Sequence, residues 1–373
     1  MASVHAEALR RIGVPVLGVV GSSRARGLEQ ARALGLPLPY SSYGDLLDDD
    51  RVDVIHVCSP NHLHHEHALA ALRAGKHVIC EKPLAMTSAQ AAELCDIAHS
   101  CGLVHAVCFV SRFYPLCQEA RTRVQSDYVG QVRLITGVYL QDWLSKDTDW
   151  NWRLDPGLGG SMRAVADIGS HWLDLAGFVG GRRIEAVTAD LTTVLPTRLR
   201  PLDASTGTFS EATGGPTEAK PIHTEDIAGV LIRFEGGARG VLTLSQVSPG
   251  RKNHLSFELS GSRASLNWGS ENPEELWIGL RDEPNQILLR GGAGMSTSAG
   301  ASGDYPAGHA QGFPDAFKAM HRTIYSAVAA GRPPTAPDYP TFNDGLEQAV
   351  VADAIAKSAL ERQWVPVERW NCA

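Results

Sequence analysis

Two short apolar runs separated by one helix-length segment constrain this chain more than any other feature. Asp53-Val54-Ile55-His56-Val57-Cys58 reads as a strand, the loop Ser59-Pro60-Asn61 follows, and a helix is expected from about His62 to Ala74. A turn at Gly75 leads into His77-Val78-Ile79-Cys80, a second buried strand, closed by Glu81-Lys82-Pro83. Such a unit crosses over right-handedly, so the loops after both strands emerge on one edge of a parallel sheet. Open sheets of this kind bind ligands at that carboxyl edge. Lys82 therefore presents an ammonium where a ligand is expected, although a surface lysine fixed by the following proline would read the same way.

The alternation extends to both sides. Met1 to Arg11 reads as a helix and Val14 to Gly21 as a strand; Ser88 to Ser100 is a helix, Val104 to Phe109 a strand and Tyr114 to Gln125 a helix. The pattern then changes. Arg133 to Trp143 alternates apolar and polar residues, as an antiparallel strand with one wet face does. Similar runs recur at Glu185–Val194, Asp226–Phe234, Gly240–Ser248, His254–Ser260 and Ala264–Trp268, with tight connections at Glu235-Gly236-Gly237 and Ser260-Gly261-Ser262. Helices near Asp167–Phe178, Pro314–Ala330 and Tyr339–Glu361 are expected to pack this sheet. Leu202–Pro221 and Gly291–Gly303 read as loops.

Composition narrows the function classes. With 373 residues, 43% hydrophobic and 20% charged, the chain is expected to form two globular domains. A net charge of −7 argues against broad nucleic-acid binding, and no apolar run approaches a membrane span. The seven cysteines form no C-x-x-C pair and several lie in apolar patterns, which fits a reducing, cytoplasmic setting. His62, His64, His65 and His67 resemble a metal cluster, but no second segment completes a tetrahedral site, so no metal is expected.

Asp167 and His171 are four residues apart and would share a helix face. A carboxylate beside an imidazole fixes its orientation and favours its protonated form, which suits proton exchange with a carbinol or carbonyl oxygen. An ordinary helix ion pair would have the same spacing. Just ahead, Trp143 and Asp149-Trp150-Asn151-Trp152-Arg153 set aromatic faces among polar groups, a combination that suits a sugar ring and also ordinary domain packing.

Cys58-Ser59-Pro60-Asn61, His65, Ala74-Gly75-Lys76-His77 and Glu81-Lys82-Pro83 together resemble the signature of the glucose-fructose oxidoreductase / inositol dehydrogenase (Gfo/Idh/MocA) family of NAD(P)-dependent sugar dehydrogenases. Gly159-Gly160 through Asp167-Ile168-Gly169-Ser170-His171 resembles that family's substrate-domain motif. The likeness continues through Arg112-Phe113-Tyr114-Pro115 and Gly308–Phe313, covering nearly the whole chain. It implies an α/β plus α+β architecture: a Rossmann-like doubly wound domain over residues 1–116, then an open-faced, mainly antiparallel sheet domain with packing helices over 117–373. By the same resemblance Lys82 polarises the substrate oxygen, His171 exchanges the proton and Asp167 orients it.

The family's fingerprint is a first strand followed by G-x-G-x-x-G, and this chain has neither. That strand is central in a doubly wound sheet, so the natural start is expected ~20–30 residues upstream of Met1, with Met1 internal. The resemblance places Ser59, Pro60, Asn61 and His65 against the cofactor, Glu81 on a ribose hydroxyl and Arg112 beside the nicotinamide. Asn61 could equally cap the next helix. After the Val14–Gly21 strand comes Gly21-Ser22-Ser23-Arg24, with no acidic residue for a ribose 2′-hydroxyl. Ser22, Ser23 and Arg24 suit a 2′-phosphate, favouring NADP over NAD.

The reading that follows is an NAD(P)-dependent oxidoreductase acting on a sugar, inositol or related cyclic polyol or ketone. Lys82, Asp167 and His171 carry the chemistry, and Trp152, Arg153 and His309 help hold the substrate. Arg251-Lys252-Asn253 and Asp226 are weaker candidates. The alternatives are a non-enzymatic dinucleotide- and sugar-sensing regulator, or an enzyme that cleaves or epimerises a glycoside through transient oxidation. A broad one-sided sheet needs cover, so a homodimer or homotetramer is expected.

Overall fold

The computed structural model describes residues 1–202, 215–300 and 302–370. Its amino-terminal half alternates short strands and helices in chain order: α1 (Ala2–Arg11), β1 (Gly18–Val19), α2 (Arg24–Ala33), β2 (Leu38–Pro39), α3 (Tyr43–Leu47), β3 (Val54–Val57), α4 (His64–Arg73), β4 (His77–Cys80), α5 (Ser88–Cys101), β5 (His105–Val107) and α6 (Pro115–Gln125). Local chemistry sets the ends. The hydroxyls of Ser23, Ser42 and Thr87 accept from the first-turn amides of α2, α3 and α5, which would otherwise be unpaired.

All strand pairs in this half are parallel, but they fall into two sheets, β1–β2 and β3–β4–β5. Among the described residues no strand joins β1 to β3. The strand expected over Val14–Gly21 shrinks to Gly18–Val19, as it pairs on one side only. Within the three-stranded sheet every strand runs the same way, so the segments after β3 and β4 leave on one edge.

The second half comprises β6 (Leu134–Leu140), α7 (Pro156–Gly159), α8 (Ser170–Gly180), β7 (Ile184–Thr192), β8 (Thr197–Pro201), β9 (Thr217–Pro221), β10 (Ile227–Phe234), β11 (Arg239–Ser245), β12 (His254–Ser260), β13 (Ala264–Gly269), β14 (Glu275–Leu280), β15 (Gln286–Leu289), α9 (Thr297–Gly300), α10 (Phe313–Ala329), α11 (Phe342–Glu361) and β16 (Val365–Pro366). Nine strands form one sheet in the order β15-β14-β13-β12-β6-β11-β10-β7-β16. Its pairs are antiparallel except β6 with β11. Strict alternation in β10 buries Ala228, Val230, Ile232 and Phe234, and leaves Leu231 47% exposed on the other face. Val241 beside it on β11 is 41% exposed, so this face carries uncovered apolar groups.

The covered face packs against α8, where the Trp172 indole donates to the Ser256 carbonyl at 2.9 Å and fixes the helix to β12. The halves share one apolar core: Ala8, Ile79 and Val104 cluster with residues of the large sheet. Helix α10 lies on α1, and α11 lies between α5 and β7.

Several expectations are corrected. The stretch Leu202–Pro221 is not all loop, because β9 pairs with β8, and residues 203–214 lie outside the described residues. Strands β14 and β15 were not expected; their apolar residues fall in short runs interrupted by charge. Gly291–Gly303 contains the short α9, and residue 301 lies outside the described residues. Among the described residues no helix is long and apolar enough to cross a membrane.

Candidate active site

Lys82 follows β4 directly. Its ammonium donates to Asp167 Oδ1 at 2.7 Å and to the Asp167 carbonyl at 2.6 Å, joining the two halves of the chain. Arg153 Nε lies 3.2 Å from the same Oδ1, and the Gln246 amide donates to Oδ2 at 2.9 Å. Burial alone would raise the Asp167 pKa; the Arg153 and Lys82 charges outweigh it and hold the carboxyl well below the usual range.

Asp167 sits in a π-turn, Val165–Gly169, that leads into α8. Such widened turns are frequent at functional sites. A side chain at Gly169 would come within 2.7 Å of Leu244, so glycine lets the turn seat on β11. The turn also interrupts the helix on which Asp167 and His171 were expected to stack. Both Asp167 oxygens are taken by Lys82, Arg153 and Gln246, and no Asp167–His171 hydrogen bond forms.

His171 Nδ1 is buried without a partner, and its ring lies edge-on to Phe109 with centroids 6.0 Å apart. Burial, then the Lys82 charge, pushes its pKa down to about 3 against the opposing pull of Asp167. This corrects the protonated imidazole expected from the i,i+4 pair. The ring is neutral near pH 7 and, in this pocket, a weaker base than a free imidazole.

The cleft is braced a second time. The buried Asn61 amide donates to the Gly159 carbonyl at 3.0 Å, so Asn61 ties the two halves together rather than capping a helix. Gly159 packs against the Arg153 backbone, where a side chain would clash at 2.8 Å. The Arg153 guanidinium lies over the Trp152 ring at 4.4 Å, so both reach the site from the expected segment.

Other candidates have protein partners of their own. His65 is paired with Glu93 at 2.8 Å on the outer side of α4, whereas the adjacent His64 bridges the Ser59 and Pro83 carbonyls at 2.8 and 2.7 Å. His64, not His65, links the loops after β3 and β4. Arg112, expected beside the nicotinamide, is held by Asp174 at 2.8 and 2.5 Å and by Asp344 at 2.6 Å. Burial pushes the Asp174 carboxyl up to about 7 despite that arginine. Glu81 was expected on a ribose hydroxyl, but it is buried: Oε1 meets His5 and Oε2 the Lys82 amide. His309 is exposed, its carbonyl accepting from Arg290, and none of its contacts involves Lys82, Asp167 or His171. Asp226 is fully buried between Arg163 and Arg198.

Sequence reasoning missed a polar group at the ends of β6 and β11. The Tyr139 hydroxyl and the Gln141 amide each donate to Asn253 Oδ1 at 2.8 Å, and the Tyr139 ring lies 6.2 Å from that of His171. Gln141 Oε1 and Gln246 Oε1 are buried acceptors without a partner, like His171 Nδ1. The available signal was polarity at positions 141 and 246, just past strands whose alternation is otherwise apolar.

Of the residues expected to meet a dinucleotide, Ser22, Ser23 and Arg24 follow β1 and are exposed, and Ser59 and Pro60 follow β3.

Comparison with known proteins agrees with this division. Residues 1–109 match the family described as "Oxidoreductase family, NAD-binding Rossmann fold", and residues 117–267 match the GFO/IDH/MocA C-terminal domain. Levoglucosan dehydrogenase of Pseudarthrobacter phenanthrenivorans is 31% identical over 365 residues, 95% of this chain and 90% of that protein. D-glucoside 3-dehydrogenase of Escherichia coli is 39% identical over 158 residues, 41% of this chain and 44% of that protein. Among solved structures, the apo form of levoglucosan dehydrogenase superimposes with a TM-score of 0.90 at 28% identity, covering 100% of this chain and 97% of that one. An oxidoreductase domain protein from Kribbella flavida gives a TM-score of 0.88 at 31% identity, covering 99% and 97%. The chain belongs to the GFO/IDH/MocA family of oxidoreductases, with the family's NAD-binding Rossmann fold ahead of its C-terminal domain.

Proposed function

We propose that this oxidoreductase moves hydride between a nicotinamide and a carbinol or carbonyl carbon of a cyclic sugar, inositol or related polyol. One observation carries the reading: Lys82 from one half and Asp167 and His171 from the other meet beside the amide side chain of Gln246, and the Tyr139 ring next to His171 leads to Asn253 and Gln141. Two relatives whose names denote dehydrogenases of carbohydrates support it.

The nicotinamide, when bound, supplies or takes the hydride. Lys82 donates to the reacting oxygen and stabilises negative charge on it. The neutral His171 accepts the hydroxyl proton in oxidation and returns it in reduction. Asp167 holds Lys82 and Arg153 in place and offsets their charge. Arg153, Trp152, Gln141, Gln246 and Asn253 bind ring hydroxyls. Ser22, Ser23 and Arg24 hold the adenosine ribose and favour a 2′-phosphate. Ser59 and Pro60 line the cofactor, with Asn61 and His64 setting the loop.

The uncovered sheet face around Leu231 and Val241 joins a second copy in a homo-oligomer. The free thiols Cys58, Cys80, Cys95, Cys101, Cys108 and Cys117 suit a reducing cytoplasm. The test is a panel of 1,6-anhydrosugars, glycosides, pyranoses and inositols with NAD and NADP, followed by reduced-nicotinamide absorbance. Turnover of at least one cyclic polyol is expected; no change in absorbance with any would contradict the reading.

A further inference from the structure

Behind Lys82, five polar side chains that the reaction does not use form a buried chain. His5 of α1 is 2% exposed and His321 of α10 is fully buried. His5 Nε2 lies 2.9 Å from Glu81 Oε1. His5 Nδ1 lies 2.7 Å from His56 Nδ1 and 3.2 Å from His321 Nε2. His56 Nε2 reaches the Tyr325 hydroxyl at 2.9 Å, and His321 Nδ1 reaches the Phe317 carbonyl at 2.9 Å. The thiol of Cys108 lies 3.9 Å from His5, and Cys58 also faces this pocket electrostatically.

The partners dictate where the protons sit. A carbonyl only accepts, so His321 carries its proton on Nδ1 and leaves Nε2 bare. That bare nitrogen faces His5 Nδ1, which can donate to it, and His56 Nδ1 can accept from the same atom when His56 carries its proton on Nε2 toward the Tyr325 oxygen. Glu81 is a carboxylate and only accepts, so His5 Nε2 must donate as well. With both His5 nitrogens protonated the ring is an imidazolium between two neutral imidazoles, and it meets the buried Glu81 carboxylate as an ion pair at 2.9 Å. A neutral His5 with its proton toward Glu81 would set its lone pair against that of His321 inside an apolar core. Burial opposes the charge on His5, and the neighbouring Cys58 and Cys108 sulfurs raise its pKa, while burial and the His5 charge lower His56 and His321.

This charge has a consequence at the next residue. Glu81 is a buried anion whose Oε2 accepts from the Lys82 amide at 3.3 Å. Were it unbalanced, it would compete with Asp167 for the Lys82 ammonium. We propose that His5 is a positioning residue, a standing imidazolium that neutralises Glu81 and so leaves the Lys82 ammonium to Asp167 and the substrate oxygen. The proposal rests on Lys82 being the group that meets that oxygen.

Two measurements test it. Histidine labelled with nitrogen-15 reports protonation by NMR without any turnover. The His5 ring is expected to stay an imidazolium at pH 8, its signal vanishing in His5→Gln and turning neutral in Glu81→Gln; a neutral His5 ring in the wild type would overturn the charge assignment. The Gln variants keep the shape and a hydrogen-bonding group, and using both guards against one failing to fold. For the positioning role, kcat of His5→Gln is expected to fall about tenfold with KM for sugar and cofactor little changed. An unaltered kcat would overturn it. If no sugar is turned over by the wild type, the substrate reading fails while the NMR result still decides the charge.

Discussion

Lys82 Nζ lies 2.7 Å from Asp167 Oδ1 and 2.6 Å from the carbonyl oxygen of the same residue, across the junction of the two halves. The two side chains are only 11% and 13% exposed, so the pair is shielded and its geometry is fixed. A lone ammonium in such a place would be costly, and its partner is also held by Arg153 and Gln246. The pair therefore aligns the two walls and sets one cation beside the neutral His171.

Asp167→Asn removes the anion but keeps the shape, leaving Lys82 and Arg153 close together without a counter-charge. Breaking a buried pair in this way costs about 3–5 kcal/mol. The unfolding free energy in urea should fall by that order, together with kcat. A loss below 1 kcal/mol would show the pair to be solvated.

Arg24→Ala should raise KM for NADP by roughly tenfold or more, since charge-assisted contacts to a phosphate are strong, and leave KM for NAD nearly unchanged. Arg24 is exposed, so folding should be unaffected. Equal effects on the two cofactors would remove it from the 2′-phosphate site.

Acid should unfold this protein early. His105 is pushed down to about 4, and His171 and His321 to about 3, chiefly by burial, and His56 is lowered as well. Each is neutral when folded but takes up a proton near pH 6.5 once unfolded. Stability from these groups is thus fully present above pH 6.5 and declines below it, by up to about 1.4 kcal/mol per pH unit for each. His5 works in the opposite sense, stabilising below pH 6.5 and losing its contribution as pH rises through its raised pKa. Urea midpoints should fall steadily from pH 6.5 to 4.5; a flat profile would contradict the neutral, buried imidazoles.

Asn61→Ala removes the brace to Gly159 and should lower kcat/KM by about tenfold through misplacement of Arg153, with secondary structure retained. Circular dichroism and kinetics together check it. Unchanged kinetics would show the Lys82–Asp167 contact to be sufficient.

Much of this was legible in the residues. The strand–helix–strand unit from Asp53 to Pro83 needed only periodicity and turn chemistry, and it placed Lys82 at the carboxyl edge. The antiparallel strands followed from strict alternation, as in β10. Polar partners were less legible. The spacing of Asp167 and His171 presumed an unbroken α-helix, and the π-turn together with three stronger partners for Asp167 overrode it. Arg112 and Glu81 have the chemistry of cofactor ligands, yet Asp174, Asp344 and His5 claim them from distant parts of the chain. Choosing between His64 and His65 required knowing which face of α4 turns inward.

The most direct test of the catalytic pair is kcat/KM for the best sugar substrate in the wild type, Lys82→Ala, His171→Asn and the double variant. Each single change should cost about 10²–10⁴, and the double should cost little more than the worse single, because the two groups serve one transition state. Activity of Lys82→Ala within tenfold of wild type would contradict the account.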